Sequence, residues 1–367
     1  MKKQELDTPF VLIDLDRTER NIAAMQAIAD AAGVALRPHA KTHKLPVLAH
    51  KQLQAGAVGL TVAKLGEAEV LAEGGIRDLF IAYPIVGRQK IERLIRLSKQ
   101  VNVTTAVDSW ESASAIAQAA AEAGTTIGAL VEIDCGFGRV GLPPDDAALA
   151  LAERIAQLPG IELRGVSTFG GHSYGAEEEG SLRRIGEEEG SCAVEIAKRM
   201  AELGIPAVTV SCGSTPSARY AAGVSGVTEI RPGTYIFGDL MQVAIGSHAL
   251  EHCALTVKVT VVSRPEAHRA VIDAGTKLFT SDGADSPIGT GRGYAVNRPG
   301  ITVAWLTEEH GMLELDEAEQ DRLKIGDTLE IVPVHCCAVM NMVDEVAAVR
   351  GDQVEAIWQV QGRGKSR

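Results

Sequence analysis

Eight short apolar runs recur through the first two thirds of the chain, with helical patterns between them. This alternation limits the fold more than any single motif. The strand candidates are 35–39, 58–62, 79–83, 101–107, 127–133, 163–169, 207–211 and 227–230. Helical patterns fill the gaps at 45–54, 65–74, 88–98, 109–123, 145–157, 180–203 and, more briefly, 216–222. Near-continuous apolar strands are the mark of parallel strands buried on both faces. Eight βα units in about 200 residues match a (β/α)8 TIM barrel. An open doubly wound sheet is the competing architecture, and the count of eight favours the barrel. Before the barrel, 8–14 reads as a strand and 17–32 as an amphipathic helix, with Ile22, Met25, Ile28 and Ala29 at helical spacing. After about residue 240 the pattern changes to β-branched runs at 257–262, 269–272, 302–305, 328–331 and 346–350, broken by Gly, Pro and Asp. That predicts a mostly β second domain. The expected division is a barrel at 16–245 and a β domain at 246–367.

Composition removes several function classes. A net charge of −12 argues against a nucleic-acid partner. No uncharged apolar run approaches the roughly 18 residues of a membrane span, and the start of the chain has no apolar signal region. Six scattered cysteines, with one adjacent pair at Cys336 and Cys337, fit reduced thiols in the cytoplasm rather than a disulfide framework. Two acidic runs, Glu177–Glu179 and Glu187–Glu189, read as solvated faces without function.

The chemistry sits at the strand ends. Arg37-Pro38-His39-Ala40-Lys41-Thr42-His43-Lys44 follows the first barrel strand. In isolation such a run is a solvated basic turn. Its place at the end of a buried strand, where barrel active sites are built, makes Lys41 a candidate for Schiff-base chemistry, with His39 beside it. Gly136-Phe137-Gly138-Arg139 follows strand five, Gly170-Gly171-His172 strand six, Cys212-Gly213-Ser214-Thr215 strand seven and Arg231-Pro232-Gly233-Thr234-Tyr235 strand eight. The loops after strands seven and eight are a frequent phosphate site in this fold. Gly213, Ser214 and Thr215 offer backbone N–H groups and two hydroxyls, Gly233 allows a close approach, and Tyr235 adds a hydroxyl. A phosphate site together with a strand-one lysine is the layout of a pyridoxal-phosphate enzyme: the phosphate anchors the cofactor and the lysine holds its aldehyde. Arg139 is then the electronic handle, beside either the pyridine ring or the phenolic oxygen of the cofactor.

In the β domain, Val334-His335-Cys336-Cys337 reads as an extended segment in which His335 and Cys337 point to one side. An imidazole and a thiolate suit Zn²⁺ or another borderline divalent ion, with water and substrate completing an open site. Asp273-Ala274-Gly275 and Glu309-His310-Gly311 are polar turns within possible reach of it.

Together, RPHAKTHK, the Gly-x-Gly-Arg loop, SCGSTPS, RPGTY, DAGTK (273–277), EEHG (308–311) and PVHCC (333–337) resemble the fold-type III pyridoxal-phosphate enzymes. More narrowly they resemble the D-threonine aldolase and D-serine dehydratase group, over nearly the whole chain and in the expected order. The resemblance implies an alanine-racemase-like barrel followed by a β domain that takes in the N-terminal strand at 1–15, and a homodimer. It implies Lys41 as the cofactor lysine, Arg139 at the ring, and Gly213, Ser214, Thr215, Gly233 and Tyr235 at the phosphate. His335 and Cys337 would hold a divalent metal (Mn²⁺, Zn²⁺ or Mg²⁺) near the substrate hydroxyl. Many members carry Tyr where this chain has Phe169. The histidine proposed as base in some aldolases is missing, and His172 is the nearest substitute. The leading expectation is a retro-aldol lyase of D-3-hydroxy amino acids such as D-threonine. The runner-up is a D-serine-type dehydratase giving a 2-oxo acid and ammonia. A racemase, for which Tyr294 would be the second acid, and a non-catalytic cofactor carrier rank below.

Overall fold

The computed structural model describes residues 1–176, 180–286 and 289–367. The run Glu177–Glu179, expected on a solvated face, therefore lies outside the described residues. The chain divides into two compact units: Ala23–Lys41, Leu45–Gly233 and Lys365–Arg367 form one, and Met1–Ile22, Thr42–Lys44 and Thr234–Gly364 the other. Both central divisions fall inside runs singled out above, at Lys41–Thr42 and at Gly233–Thr234.

After β1 (Phe10–Asp14) and α1 (Leu15–Ala32), the first unit is built from eight parallel strands. They are β2 (Ala35–Leu36), β3 (Leu60–Val62), β4 (Asp78–Ile81), β5 (Asn102–Val107), β6 (Ile127–Ile133), β7 (Ile161–Thr168), β8 (Thr209–Cys212) and β9 (Glu229–Ile230). Their order is β2-β9-β8-β7-β6-β5-β4-β3. Just past β2 the ring closes: Thr61 N–H donates to the Pro38 carbonyl and Ala40 N–H to the Thr61 carbonyl, both at 2.8 Å. His39 is thus the bridge residue that pairs with Thr61 and makes the sheet a barrel. β2 is shorter than its apolar run because Pro38 has no N–H to give. β6 is buried at all seven positions, as a parallel strand covered on both faces must be. Phe80, Ala106 and Leu130 from three adjacent strands pack together. Between the strands run α2 (Pro46–Gln54), α3 (Leu65–Glu73), α4 (Arg88–Ser98), α5 (Trp110–Glu122), α6 (Asp146–Ile155), α7 (Ser181–Glu202) and α8 (Ala218–Ala221). Proline opens α2, and the Ser109 and Asp145 side chains cap α5 and α6.

The second unit holds α9 (Leu240–Ala244), β10 (Leu255–Glu266), β11 (Arg269–Ile272), α10 (Thr276–Phe279), β12 (Ala284–Ser286), β13 (Gly289–Gly291), β14 (Gly293–Ala295), β15 (Ile301–Leu306), β16 (Gly311–Leu315), α11 (Glu317–Gln320), β17 (Thr328–Pro333), α12 (Cys336–Met342), β18 (Glu345–Arg350) and β19 (Gln353–Gln359). Nine strands form one sheet in the order β11-β16-β15-β14-β17-β10-β1-β18-β19. The N-terminal strand β1 is a full member of it, antiparallel to β10 and parallel to β18. No helix among the described residues is long and apolar enough to cross a membrane.

Candidate active site

At the barrel mouth, Lys41 is half-buried, and its Nζ lies 5.9 Å from the centre of the Phe169 ring. Arg139 is exposed, yet its guanidinium stands 4.4 Å over the same ring and 5.5 Å over Phe137. The two rings meet edge to face at 5.7 Å. Phenylalanine at 169 therefore supplies an apolar wall and a π face shared by two cations.

The loop that carries Arg139 is folded by a residue the sequence reading passed over. Asp134 Oδ1 accepts the N–H groups of Gly136 and Phe137 at 2.9 Å and of Gly138 at 3.0 Å. Burial alone would raise this carboxyl, but the three amides hold it below the usual carboxylate range. An Asp just ahead of a Gly-x-Gly run was the available signal. Glu132, at the end of β6, was also missed. It accepts the Ser167 hydroxyl, and burial pushes its carboxyl up, with the Arg231 charge opposing. Arg231 itself is buried and donates to Ser211 Oγ at 2.6 Å and to the Thr168 carbonyl at 2.7 Å.

His172 lies on a short 3-10 turn, Gly171–Gly175; it is half-buried, and its Nδ1 is buried with no hydrogen-bond partner among the described residues. The phosphate-loop candidates are brought together only in part. Gly213 has φ +83°, a left-handed turn that favours glycine. Its N–H, expected to be free, donates to Glu189 Oε1 at 2.8 Å, and the Ser214 N–H donates to Ser217 Oγ at 2.9 Å. The Ser214 and Thr215 hydroxyls are the other candidates in this loop, and that of Ser214 lies 2.9 Å from Ser217 Oγ and 3.3 Å from Ser173 Oγ. Gly233 falls at the end of the barrel unit, and Tyr235 is buried in the second unit, on the turn Thr234–Ile236.

In the second unit the segment 335–337 is not extended. His335 caps α12 and Cys337 lies in its first turn. The helix starts here because Asp239 Oδ2 accepts the Cys336 N–H at 3.0 Å, while Asp239 Oδ1 caps α9 through Gln242 N at 3.0 Å. The imidazole and the thiol still meet: a hydrogen bond with Cys337 is the largest influence on His335. Against burial, and with Asp239 and Asp282 adding to it, this pushes His335 up to about 9. Asp282 Oδ2 lies 3.3 Å from His335 Nδ1. Burial and then the Cys337 charge raise Asp239 to about 6. The Cys337 sulfur has two hydroxyl neighbours, Thr42 Oγ1 at 3.2 Å and Thr234 Oγ1 at 3.7 Å. Cys336 turns inward and is fully buried. No cluster of three or more His, Cys, Asp and Glu side chains suited to a metal forms among the described residues.

The two polar turns considered for this site have other partners. Asp273 accepts Thr260 N–H at 2.8 Å and the Thr8 hydroxyl at 2.6 Å, and Glu309 pairs with Lys277 on the surface. Tyr294 packs against the apolar cluster of Leu240, Cys253, Val332 and Val334.

A closed parallel barrel with a lysine after its first strand, and an antiparallel unit that recruits the N-terminal strand, define an alanine-racemase-like protein of fold type III. Residues 13–241 match the alanine racemase N-terminal domain, and 254–349 match the putative serine dehydratase domain. A D-threonine aldolase from Arthrobacter sp. is 35% identical over 368 residues, covering 99% of this chain and 94% of its own. A D-threo-3-hydroxyaspartate dehydratase from Delftia sp. is 36% identical over 368 residues, covering 96% of this chain and 97% of its own. The crystal structure of D-threonine aldolase from Filomicrobium marinum matches with a TM-score of 0.92 at 31% identity, over 99% of this chain and 97% of that one. The chain belongs to the D-threonine aldolase and D-serine dehydratase family of pyridoxal-phosphate enzymes, and it is a lyase.

Proposed function

We propose that this lyase cleaves D-3-hydroxy amino acids of the D-threonine type to glycine and an aldehyde, using pyridoxal phosphate and a divalent metal. One observation carries the reading. Thr42, whose hydroxyl lies 3.2 Å from the Cys337 sulfur, is the next residue in the chain after Lys41. An amine suited to an aldehyde and an imidazole–thiol pair suited to a divalent ion are thus linked through a single residue.

The donor set fits both groups. Lys41 offers a half-buried amine for the aldehyde, and Ser214 and Thr215 carry buried hydroxyls suited to the phosphate; the family resemblance adds Gly213, Gly233, Tyr235 and His39. Arg139 serves the ring. His335 and Cys337 suit Zn²⁺, Mn²⁺ or Mg²⁺ in that order of ligand softness, with Asp282 orienting the imidazole. When bound, the cofactor supplies an electron sink and the metal a Lewis acid for the substrate hydroxyl. The protein's own part is positional. Lys41 Nζ would be the amine that holds the aldehyde, beside the place of the substrate amine. His172 Nδ1, buried and without a partner among the described residues, takes the proton of the 3-hydroxyl as the Cα–Cβ bond breaks. Phe137 and Phe169 keep water from the reacting carbon, and the Arg139 cation lies against their faces. In the same reading the enzyme is a cytoplasmic homodimer with no nucleic-acid or membrane partner.

The 36% identity to the Delftia dehydratase, with a His-x-Cys pair in place, favours a second reading. In it Lys41 Nζ takes the Cα proton, the hydroxyl leaves, and the products are a 2-oxo acid and ammonia. Product analysis with D-threonine, Mn²⁺ or Zn²⁺, and an EDTA control decides. Glycine and acetaldehyde, lost with EDTA, are expected; 2-oxobutanoate and ammonia overturn the aldolase reading in favour of the dehydratase.

A further inference from the structure

Glu189 belongs to the acidic run Glu187–Glu189 that reads from sequence as a solvated face. In the structure its side chain is 1% exposed. From α7 it reaches inward to two adjacent strand-end loops. Oε1 accepts the Gly170 N–H at 2.9 Å and the Gly213 N–H at 2.8 Å, and Oε2 accepts the Ser217 hydroxyl at 2.7 Å. A buried carboxylate is tolerated only when its oxygens are satisfied, and these three donors satisfy it. The fit is close: a Cβ on Gly170 would stand 2.6 Å from Glu189 Oε2.

The carboxylate also gives a direction to a chain of hydroxyls. The Ser217 hydroxyl donates to Glu189 Oε2, so its proton points at the carboxyl group. Ser217 Oγ then accepts, from the Ser214 N–H at 2.9 Å and from the Ser214 hydroxyl at 2.9 Å. Ser214 Oγ is in turn 3.3 Å from Ser173 Oγ, which becomes the donor of that pair. All four side chains are buried. If Ser214 Oγ stays in place and its proton turns to a phosphate oxygen, Ser217 keeps its amide donor and its carboxylate acceptor, and Ser173 keeps Ser214 Oγ as its acceptor. Ser214 is therefore the member of the chain whose proton can turn.

We propose that Glu189 is the positioning residue of the phosphate end of the cofactor site. It ties the Gly170 loop to the Gly213 loop and presets the serine chain, and so sets how tightly the phosphate group is held. This rests on reading 213–215 as the phosphate loop.

The test titrates full-length apo-protein with pyridoxal phosphate and, separately, with pyridoxal, which lacks the phosphate, following visible absorbance. Glu189→Ala is expected to weaken pyridoxal phosphate at least about tenfold, equivalent to ~1.4 kcal/mol. Pyridoxal, held through Lys41, is expected to bind as in the wild type. Glu189→Gln keeps both amide bonds through Oε1 but donates Nε2–H to Ser217 and reverses the hydroxyl chain, so its preference for pyridoxal phosphate is expected to fall between that of the wild type and that of Glu189→Ala. Equal binding of pyridoxal phosphate by Glu189→Ala and wild type overturns the proposal; so does an equal loss for both ligands, which marks general damage. A wild type with no preference for pyridoxal phosphate over pyridoxal overturns the phosphate reading itself, and the proposal with it. Ser217→Ala removes the three bonds of Ser217 Oγ, to Glu189 Oε2 and from the Ser214 N–H and hydroxyl, while leaving the two amide bonds of Glu189 in place. It is expected to show the same selective loss, at least about threefold. Where Glu189→Ala does not fold, the absence of that loss in Ser217→Ala overturns the proposal.

Discussion

Asp134→Ala removes the acceptor that folds the Arg139 loop. Three consecutive amides converge on one oxygen at 2.9, 2.9 and 3.0 Å, and Gly138 N–H also lies 3.0 Å from the second oxygen. A hydrogen bond to a charged group is worth ~1.5–3 kcal/mol in a favourable setting. Here the loop faces solvent and the bonds share one carboxylate, so they do not add. A total of ~2 kcal/mol for local opening is the appropriate scale. That raises the open population about 30-fold. Amide hydrogen exchange at Gly136, Phe137 and Gly138 reads it directly, against unchanged exchange in β6. The pH dependence has a definite sign. Asp134 is held below its ordinary value in the folded protein, so its stabilisation is fully present above the unfolded value of about 3.9 and is lost as pH falls through the lower folded value. Wild-type protection at these amides should therefore converge on that of the variant only in strong acid. With the loop open, Arg139 leaves the Phe169 face, and kcat/KM should fall in parallel. Wild-type exchange at all three amides in Asp134→Ala would refute the reasoning, whatever happened to activity.

Other outcomes follow from the same geometry. Lys41→Ala should lose turnover together with the visible absorbance of bound pyridoxal phosphate; full turnover in that variant sinks the assignment of the cofactor lysine. His335→Ala and Cys337→Ala should each lower metal content at least about tenfold in elemental analysis, and Asp282→Asn should have a smaller effect of the same sign. Burial pushes the thiols of Cys135 and Cys253 up to about 12 and that of Cys192 to about 11, so little thiolate exists at neutral pH. Iodoacetamide should therefore label these three slowly in the native protein and quickly after unfolding, as read by peptide mass spectrometry. Fast native labelling of Cys253 would count against the packing described.

What the sequence made legible was whatever depends on periodicity. The barrel strands are apolar along their length because both faces are covered, and the expected run at 127–133 coincides with β6. Loops at strand ends follow from that count alone, which is why Lys41, Arg139 and Gly213 could be placed before any coordinates. Asp134 acts on amides two to four residues away and had a local signal, but two other failures share one cause, a hydrogen bond between residues far apart in the chain. His335–Cys337 reads as a strand because Val332, Pro333 and Val334 lead into it. Asp239, nearly a hundred residues earlier, supplies the acceptor that starts a helix at Cys336. Glu189 reads as surface because its neighbours are acids. Two amides and a hydroxyl from loops on either side make it interior. In both places a carboxylate organises backbone N–H groups at a site whose side chains the sequence had already marked. Motif residues are visible because their types are unusual. The acids that hold them in place are visible only once the fold brings their donors to them.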